Sequence, residues 1–414
     1  VSFTEPYVFD KNVSLGVNVY RRDLNSFNYY NNARNTIYQQ ATTGFQVRAG
    51  IPVTEYVSAV ASYTLNYDDI SVDPTQYYST RADGTLRCDP LIAGRYLCDA
   101  LGKRTSSILG LSLVYDTLDN RYRPTRGRSF SVTTEFAGLG GSVKYGRIRG
   151  NAAQYFPMGK GFVFSLRGEG GAIFPFDHHG NAALGVDDVR LTDRFYLGEP
   201  QMRGFDIRGI GPRVLREFYT DDGAGNPVLL GDRKKMVDDA LGGRYYYLGH
   251  AELEIPLGSG ARELGLRPSI FLDAGAVWGI TRPVTDDFKS QYTTGIFIES
   301  RNTAGQLIYT QVDQATLVGT VCTPTATSVV TNPVNSAPPT CYGTPTLANT
   351  QIGQTIPAYK ETFLGNSPKP RIAVGIGVNW NSPFGPFRID FAKTLLKVDG
   401  DDTKSFTFNV GTQF

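Results

Sequence analysis

The stretch Tyr56–Tyr67, YVSAVASYTLNY, decides the fold. In an extended chain Val57, Ala59, Ala61, Tyr63, Leu65 and Tyr67 share one face, and Ser58, Ser62, Thr64 and Asn66 share the other. The same period-two pattern runs through Val13–Tyr20, Phe162–Glu169, Arg371–Trp380 and Ser405–Phe414. It also marks strands near Thr43–Ile51, Ile108–Asp116, Arg128–Ala137, Val143–Phe156, Arg244–Ile255, Pro268–Trp278 and Phe387–Leu395. Each amphipathic run is about 9–11 residues, the length a tilted strand needs to cross a bilayer. Arg48, Glu135, Arg167, Glu169, Glu252, Glu254, Arg388 and Asp390 fall on the polar side. A soluble sandwich also alternates, but its strands are shorter and its apolar faces pack on each other. The expectation is an all-β chain: a transmembrane antiparallel barrel, which leaves no unpaired edge in lipid.

The connections divide by length. Val53–Glu55, Gly159–Gly161, Pro383–Pro386 and Asp399–Lys404 read as short turns. Asn25–Gln40, Ser71–Arg104, Pro175–Gly243 and Thr281–Lys369 read as long loops. Short turns on one rim and long loops on the other fit an outer-membrane barrel. The segment 281–369 is expected outside the cell, with a hairpin formed by Gly295–Ile298 and Leu307–Gln311 and a polar stretch at Thr323–Thr346.

Composition agrees. Aromatic residues make up 12% of the chain, with 24 Tyr and 24 Phe, and suit strands. Mean hydropathy is −0.23, and no apolar run is long enough to form a membrane helix. A net charge of +2 gives no reason to expect nucleic acid as a partner. The opening residues Val1-Ser2-Phe3 carry neither an initiator Met nor a signal peptide, so the chain reads as part of a processed, exported protein. The four cysteines form two close pairs, Cys88 with Cys98 and Cys322 with Cys341, read as loop-stapling disulfides in an oxidising compartment. Each is worth about 3 kcal/mol in the chain-entropy view.

No catalytic constellation stands out, and neither a metal nor a cofactor is expected, so the chain is not read as an enzyme. His178-His179 reads as a solvated loop pair. Asp221–Asn226 reads as an acidic surface turn, since it lacks the spacing of a calcium loop. What remains is Phe195–Arg213, FYLGEPQMRGFDIRGIGPR, between the strands Phe162–Phe174 and Arg244–Ile255. A connection this long usually carries function or is disordered, and this one is not low-complexity.

Four stretches together resemble the barrel of the bacterial outer-membrane protein assembly factor, the BamA family. They are FTEPYVFD at Phe3–Asp10, FYLG followed by RGF within Phe195–Phe205, FLDAGAVW at Phe271–Trp278, and WNSPFGPFRIDFA at Trp380–Ala392 with a terminal strand ending in Phe414. The resemblance implies that the loop 175–243 folds back into the lumen, carrying Met202, Arg203, Gly204 and Phe205. It implies that Arg203 is held by inner-wall acids. Asp273 shares the inward face with Phe271 and Gly275, and Glu252 and Glu254 share it with His250. Met202 stands where the family usually has Val, Ile or Leu, and Thr394 where it often has Pro.

The family barrel has sixteen strands, and FTEP ends the fourth. The chain 1–414 is therefore expected to lack about the first three, leaving roughly thirteen strands with the stub, and to lack the periplasmic domains. The implied function is insertion of other barrel proteins into the bacterial outer membrane, through a lateral gate where client strands add. Ser405–Phe414 would form one side of that gate, with Phe406, Phe408, Val410 and Phe414 as a C-terminal signal. Implied partners are outer-membrane lipids including lipopolysaccharide, nascent barrel clients and accessory periplasmic lipoproteins. A two-partner secretion or autotransporter-assembly relative shares the loop motif. A passive porin remains an alternative of another class, and an adhesin rests only on the 281–369 loop.

Overall fold

The computed structural model describes residues 1–414 apart from 31–32, 81–85, 89–92, 122, 179, 181–184, 223–226, 259–264, 289–296, 302–306, 313–318, 323–344, 347–357, 383–384 and 411–414. Thirteen strands form one antiparallel sheet in chain order. They are β1 (Ser2–Glu5), β2 (Ser14–Tyr30), β3 (Ala33–Pro52), β4 (Val57–Ser71), β5 (Gly102–Asp116), β6 (Gly127–Gly141) and β7 (Tyr145–Gly159). Then follow β8 (Phe162–Pro175), β9 (Tyr245–Glu254), β10 (Leu266–Trp278), β11 (Arg371–Ser382), β12 (Gly385–Leu396) and β13 (Phe406–Val410). Among the described residues no helix is long and apolar enough to cross a membrane. The chain is a membrane β-barrel fold: neighbouring strands satisfy one another's backbone groups, which lipid cannot.

The outward face is apolar. Leu65, Leu109, Leu111, Leu113, Ile270, Leu272 and Ile376 are exposed along it. Aromatic rings border this band at both ends, as expected at membrane–water interfaces. Near one rim Tyr56 meets Tyr115 at 6.5 Å, Phe156 meets Phe164 at 6.2 Å and Trp380 meets Phe387 at 5.6 Å. Near the other, Phe136 meets Phe176 at 5.4 Å and Tyr247 meets Trp278 at 5.7 Å.

Two expectations about the connections need correction. Asn25–Gln40 is no long loop: β2 and β3 go on pairing from Asn25↔Gln39 to Tyr30↔Ala33, with a one-residue register shift between Ser26 and Phe27, so the hairpin projects as strand beyond the band. Asp399–Lys404 is short but lies on the long-loop rim, because strict alternation along the sheet places the β12–β13 connection with 72–101, 176–244 and 279–370. It stays compact because the lumen loop fills the space beside it, with Asp402 N donating to Gly209 O at 2.8 Å.

Over that rim a second sheet is built from Pro227–Leu229, Arg213–Asp221, Tyr359–Leu364 and Asp287–Phe288, with Val237–Ala240 also paired to Arg213–Asp221. A hydrophobic cluster beneath it joins the loops: Ile70, Val72, Leu97, Leu191, Val214, Leu241 and Ile280 are buried together. Cys88–Cys98 forms a disulfide that fastens the helix Arg95–Ala100 into this cap. Cys341 lies outside the described residues, and with it the Cys322–Cys341 pairing. Phe297–Arg301 and Leu307–Val312 pair as a hairpin within 281–369.

Within the cap, burial pushes the Asp239 carboxyl up to about 6, although the Tyr96 hydroxyl donates to it at 2.5 Å and the Arg216 charge opposes the shift. A carboxyl whose folded pKa is raised favours folding most below the unfolded value near pH ~4, and that contribution is lost as pH rises through the folded value. Proteolytic nicking of the cap should therefore increase between about pH 4 and about pH 7 in the wild type relative to Asp239→Asn. Parallel pH profiles for the two proteins would refute this.

Candidate functional site

The segment 195–213 enters the lumen between β8 and β9. Phe195 and Gly243 form an antiparallel bridge where it leaves the rim, and Leu197 and Ile210 form another further in. Tight turns close the tip: Met202 N donates to Gly198 O at 2.9 Å and Gly209 N donates to Asp206 O at 2.8 Å. Gly204 has φ +85°, and a Cβ there would sit 2.8 Å from Ala373 Cβ, so both backbone and space demand glycine. Met202 and Phe205 are fully buried with Leu197, Ile210, Leu248, Val277 and Ala373. Met202 thus fills the apolar role of the branched residues usual in the resembling family.

This packing aims Arg203 at the inner wall. Its Nε donates to Asp273 Oδ2 at 2.7 Å and its Nη2 to Asp273 Oδ1 at 2.6 Å, a bidentate pair. The Arg203 backbone N–H donates to Asp273 Oδ2 at 3.1 Å, and Nη1 donates to Glu252 Oε2 at 3.2 Å. The guanidinium lies 3.5 Å from the centroid of the Phe271 ring, within cation–π range. Asp273 is 0% exposed, and His250 Nδ1 lies 2.8 Å from its Oδ1.

Glu252 joins this pair to a wider network. It accepts from Ser269 Oγ at 2.6 Å, Arg388 Nη2 at 3.1 Å and Arg167 Nη2 at 3.2 Å. Arg388 Nε also donates to Asp390 at 2.9 Å. Three guanidinium groups (Arg203, Arg388, Arg167) balance three carboxylates (Asp273, Glu252, Asp390), so the cluster is neutral if His250 is uncharged. Such a network adds little net stability against an apolar replacement, but it fixes one geometry and is costly to break.

The structure brings Arg203, Asp273 and Glu252 together and leaves Glu254 out. Glu254 lies one strand repeat further toward the opposite rim, with Arg123 at 3.1 Å and Arg267 at 3.5 Å. Phe406, Phe408 and Val410 are exposed on the outward face of β13, while Phe414 lies outside the described residues. His178 lies 3.3 Å from Asp188 in a loop, and no group of metal-ligating side chains occurs among the described residues.

Several anchors of the loop escape a reading of strand parity. The Thr394 hydroxyl donates to Gly204 O at 2.8 Å, which gives that departure from the resembling family a role. Lys404 Nζ donates to Glu199 Oε2 at 2.7 Å, and Phe205 bridges Thr403. At the loop's exit Arg371 and Asp401, both fully buried, pair at 2.9 Å, and Asp401 Oδ1 accepts from Gly211 N at 3.4 Å. Arg371 opens a strand and Asp401 sits in a turn, so neither alternation nor spacing links them.

The whole chain, residues 1–414, matches the Omp85 superfamily domain. It is 24% identical over 415 residues to the outer membrane protein assembly factor BamA of Neorickettsia risticii, covering 100% of this chain and 39% of that protein. It is also 24% identical over 424 residues to BamA of Neisseria meningitidis serogroup B, covering 100% of this chain and 41% of that protein. The fold is similar to the crystal structure of BamA from Haemophilus ducreyi lacking POTRA domains 1–3, with TM-score 0.59 and 20% identity, over 98% of this chain and 60% of that one. The chain thus spans about two fifths of the length of the curated relatives it matches.

Proposed function

Because this chain belongs to the Omp85 superfamily of outer-membrane proteins, we propose that it is the membrane part of a factor that inserts other β-barrel proteins into the bacterial outer membrane. A client strand needs a partner edge in lipid, where unpaired backbone groups are costly. In this reading the outer edge of β13 is one side of a lateral gate, and a client strand adds to it by β-augmentation. Nascent barrel proteins are the clients; lipopolysaccharide and accessory periplasmic lipoproteins are further partners. No bond-making step is involved.

The observation that carries the reading is the lodged loop. Arg203 clamps the tip to β9 and β10, while Phe205, Thr394 and Lys404 tie it to β12 and to the connection that leads into β13. A loop so placed occupies the lumen, which suits a passive pore poorly, and it braces the strands beside the proposed gate.

The test places the photo-crosslinker p-benzoylphenylalanine at Phe408 of the full-length protein in cells. The expected result is a light-dependent adduct with barrel precursors, together with loss of outer-membrane barrel proteins when the factor is depleted. Absence of such adducts, with barrel protein levels unchanged on depletion, would sink the assembly reading.

A further inference from the structure

The outward wall of β5–β8 is not uniformly covered by large side chains. Register aligns Tyr115, Phe130, Ala152 and Gly168 across four strands. The next row toward the short-turn rim holds Arg128, Gln154 and Leu166. The small residues leave an open groove of about 540 Å³ between Phe130 and Leu166, with Arg128 at its rim end. The fold does not require the gap: a Cβ on Gly168 would meet only Leu248 O at 3.8 Å.

The turn beside the groove, between β5 and β6, is basic. Asp119 accepts hydrogen bonds from Thr125 N, Thr125 Oγ1 and Arg126 N at 2.9, 2.6 and 3.1 Å, which pins the turn. Arg121 pairs with Asp116 at 3.6 Å and Arg123 with Glu254 at 3.1 Å. Arg126 and Arg128 are exposed and have no carboxylate partner among the described residues, and Arg128 leans on the Tyr115 ring at 5.5 Å. An apolar trough on the lipid face thus ends at the guanidinium of Arg128, with the exposed Arg126 two residues before it in the adjoining turn.

We propose that this groove holds an acyl chain of a glycerophospholipid of the periplasmic leaflet, with its phosphate against Arg126 and Arg128. The geometry calls for one long apolar chain joined to an anion at the short-turn rim, the rim that faces the periplasm in such barrels. Guanidinium groups match phosphate oxygens in charge and in donor geometry. Lipid A also joins acyl chains to phosphate, but it occupies the opposite leaflet. The site stands apart from the lumen loop and does not depend on the assembly reading.

Native mass spectrometry of the full-length protein in detergent, titrated with phosphatidylglycerol and separately with lipid A, tests this. Heat-modifiable migration reports that each variant has folded. Arg126→Gln with Arg128→Gln should weaken phosphatidylglycerol binding by about fivefold per arginine removed. Gly168→Leu should abolish the retained lipid by filling the groove while keeping both charges. If the arginine variant loses lipid but Gly168→Leu keeps it, only diffuse charge attraction is present and the groove is not a site. Unchanged binding in both variants, or equal dependence for lipid A, overturns the proposal as well.

Discussion

Arg203→Ala should destabilise the barrel by about 3–5 kcal/mol, the usual cost of removing one partner of a buried ion pair. The loss falls on Asp273, which is 0% exposed and, among the described residues, would keep His250 alone as a side-chain partner. Glu252 would suffer less, since Arg388 and Arg167 remain beside it. Arg203→Lys should fall between, because a lysine keeps the charge but not the two parallel bonds. Arg203→Glu should weaken assembly of the barrel most, and a compensating Asp273→Arg should restore it in part. Urea midpoints followed by tryptophan fluorescence and complementation in cells measure both effects. A folded, complementing Arg203→Glu protein would end the idea of an internal brace.

Comparable in size, and further from anything the sequence suggests, is the effect of Arg371→Ala. Arg371 donates to Gly365 O at 2.8 Å, Ser367 O at 2.6 Å and Lys369 O at 3.1 Å, as well as to Asp401 Oδ2 at 2.9 Å and Oδ1 at 3.3 Å. Its removal leaves the buried Asp401 carboxylate with no cationic partner among the described residues, held by the backbone N–H groups of Gly211 and Val398, and takes a donor from the Gly365, Ser367 and Lys369 carbonyls, again a loss of about 3–5 kcal/mol. The damage should be local first. The turn 365–369, the β12–β13 connection and the loop exit at Gly211 all meet at this pair. Protease added from outside should then cut within 397–405 in the variant and not in the wild type. The double variant Arg203→Ala with Arg371→Ala should lose less than the sum of the singles, because both release the same loop. Strict additivity would mean the two clusters do not hold one element.

Much of the wall was legible because its cause is local. Alternation follows from the two-residue period of a strand, so Tyr56–Tyr67 and Arg371–Trp380 announce a lipid face and a lumen face without any neighbour. The same parity placed Asp273, Glu252, Glu254, Arg388 and Asp390 inward. It gave no means of choosing Glu252 over Glu254, since both satisfy it. That choice depends on how deep the loop tip descends, which is set by Met202 and Phe205 packing against Leu248, Val277 and Ala373.

Connections were read less well. Loop length is a weak guide to rim: Asp399–Lys404 looks like a short turn of the opposite side, and Asn25–Gln40 looks like a loop although it pairs as strand. Polar residues carry a hairpin beyond the membrane as readily as they form a coil, because in water neither needs an apolar face.

The sequence by itself determined the strand pattern, the inward set of charges and an arginine loop in need of a lumen. Only the tertiary structure decided which charges meet. Arg371 with Asp401, Thr394 with Gly204 and Arg388 with Glu252 are separated by 30, 190 and 136 residues. Each pair forms only once the sheet register and the descent of the loop are both set. The energy of a buried ion pair depends on distances of a few ångströms and on the exclusion of water, and neither is encoded in the period of a strand.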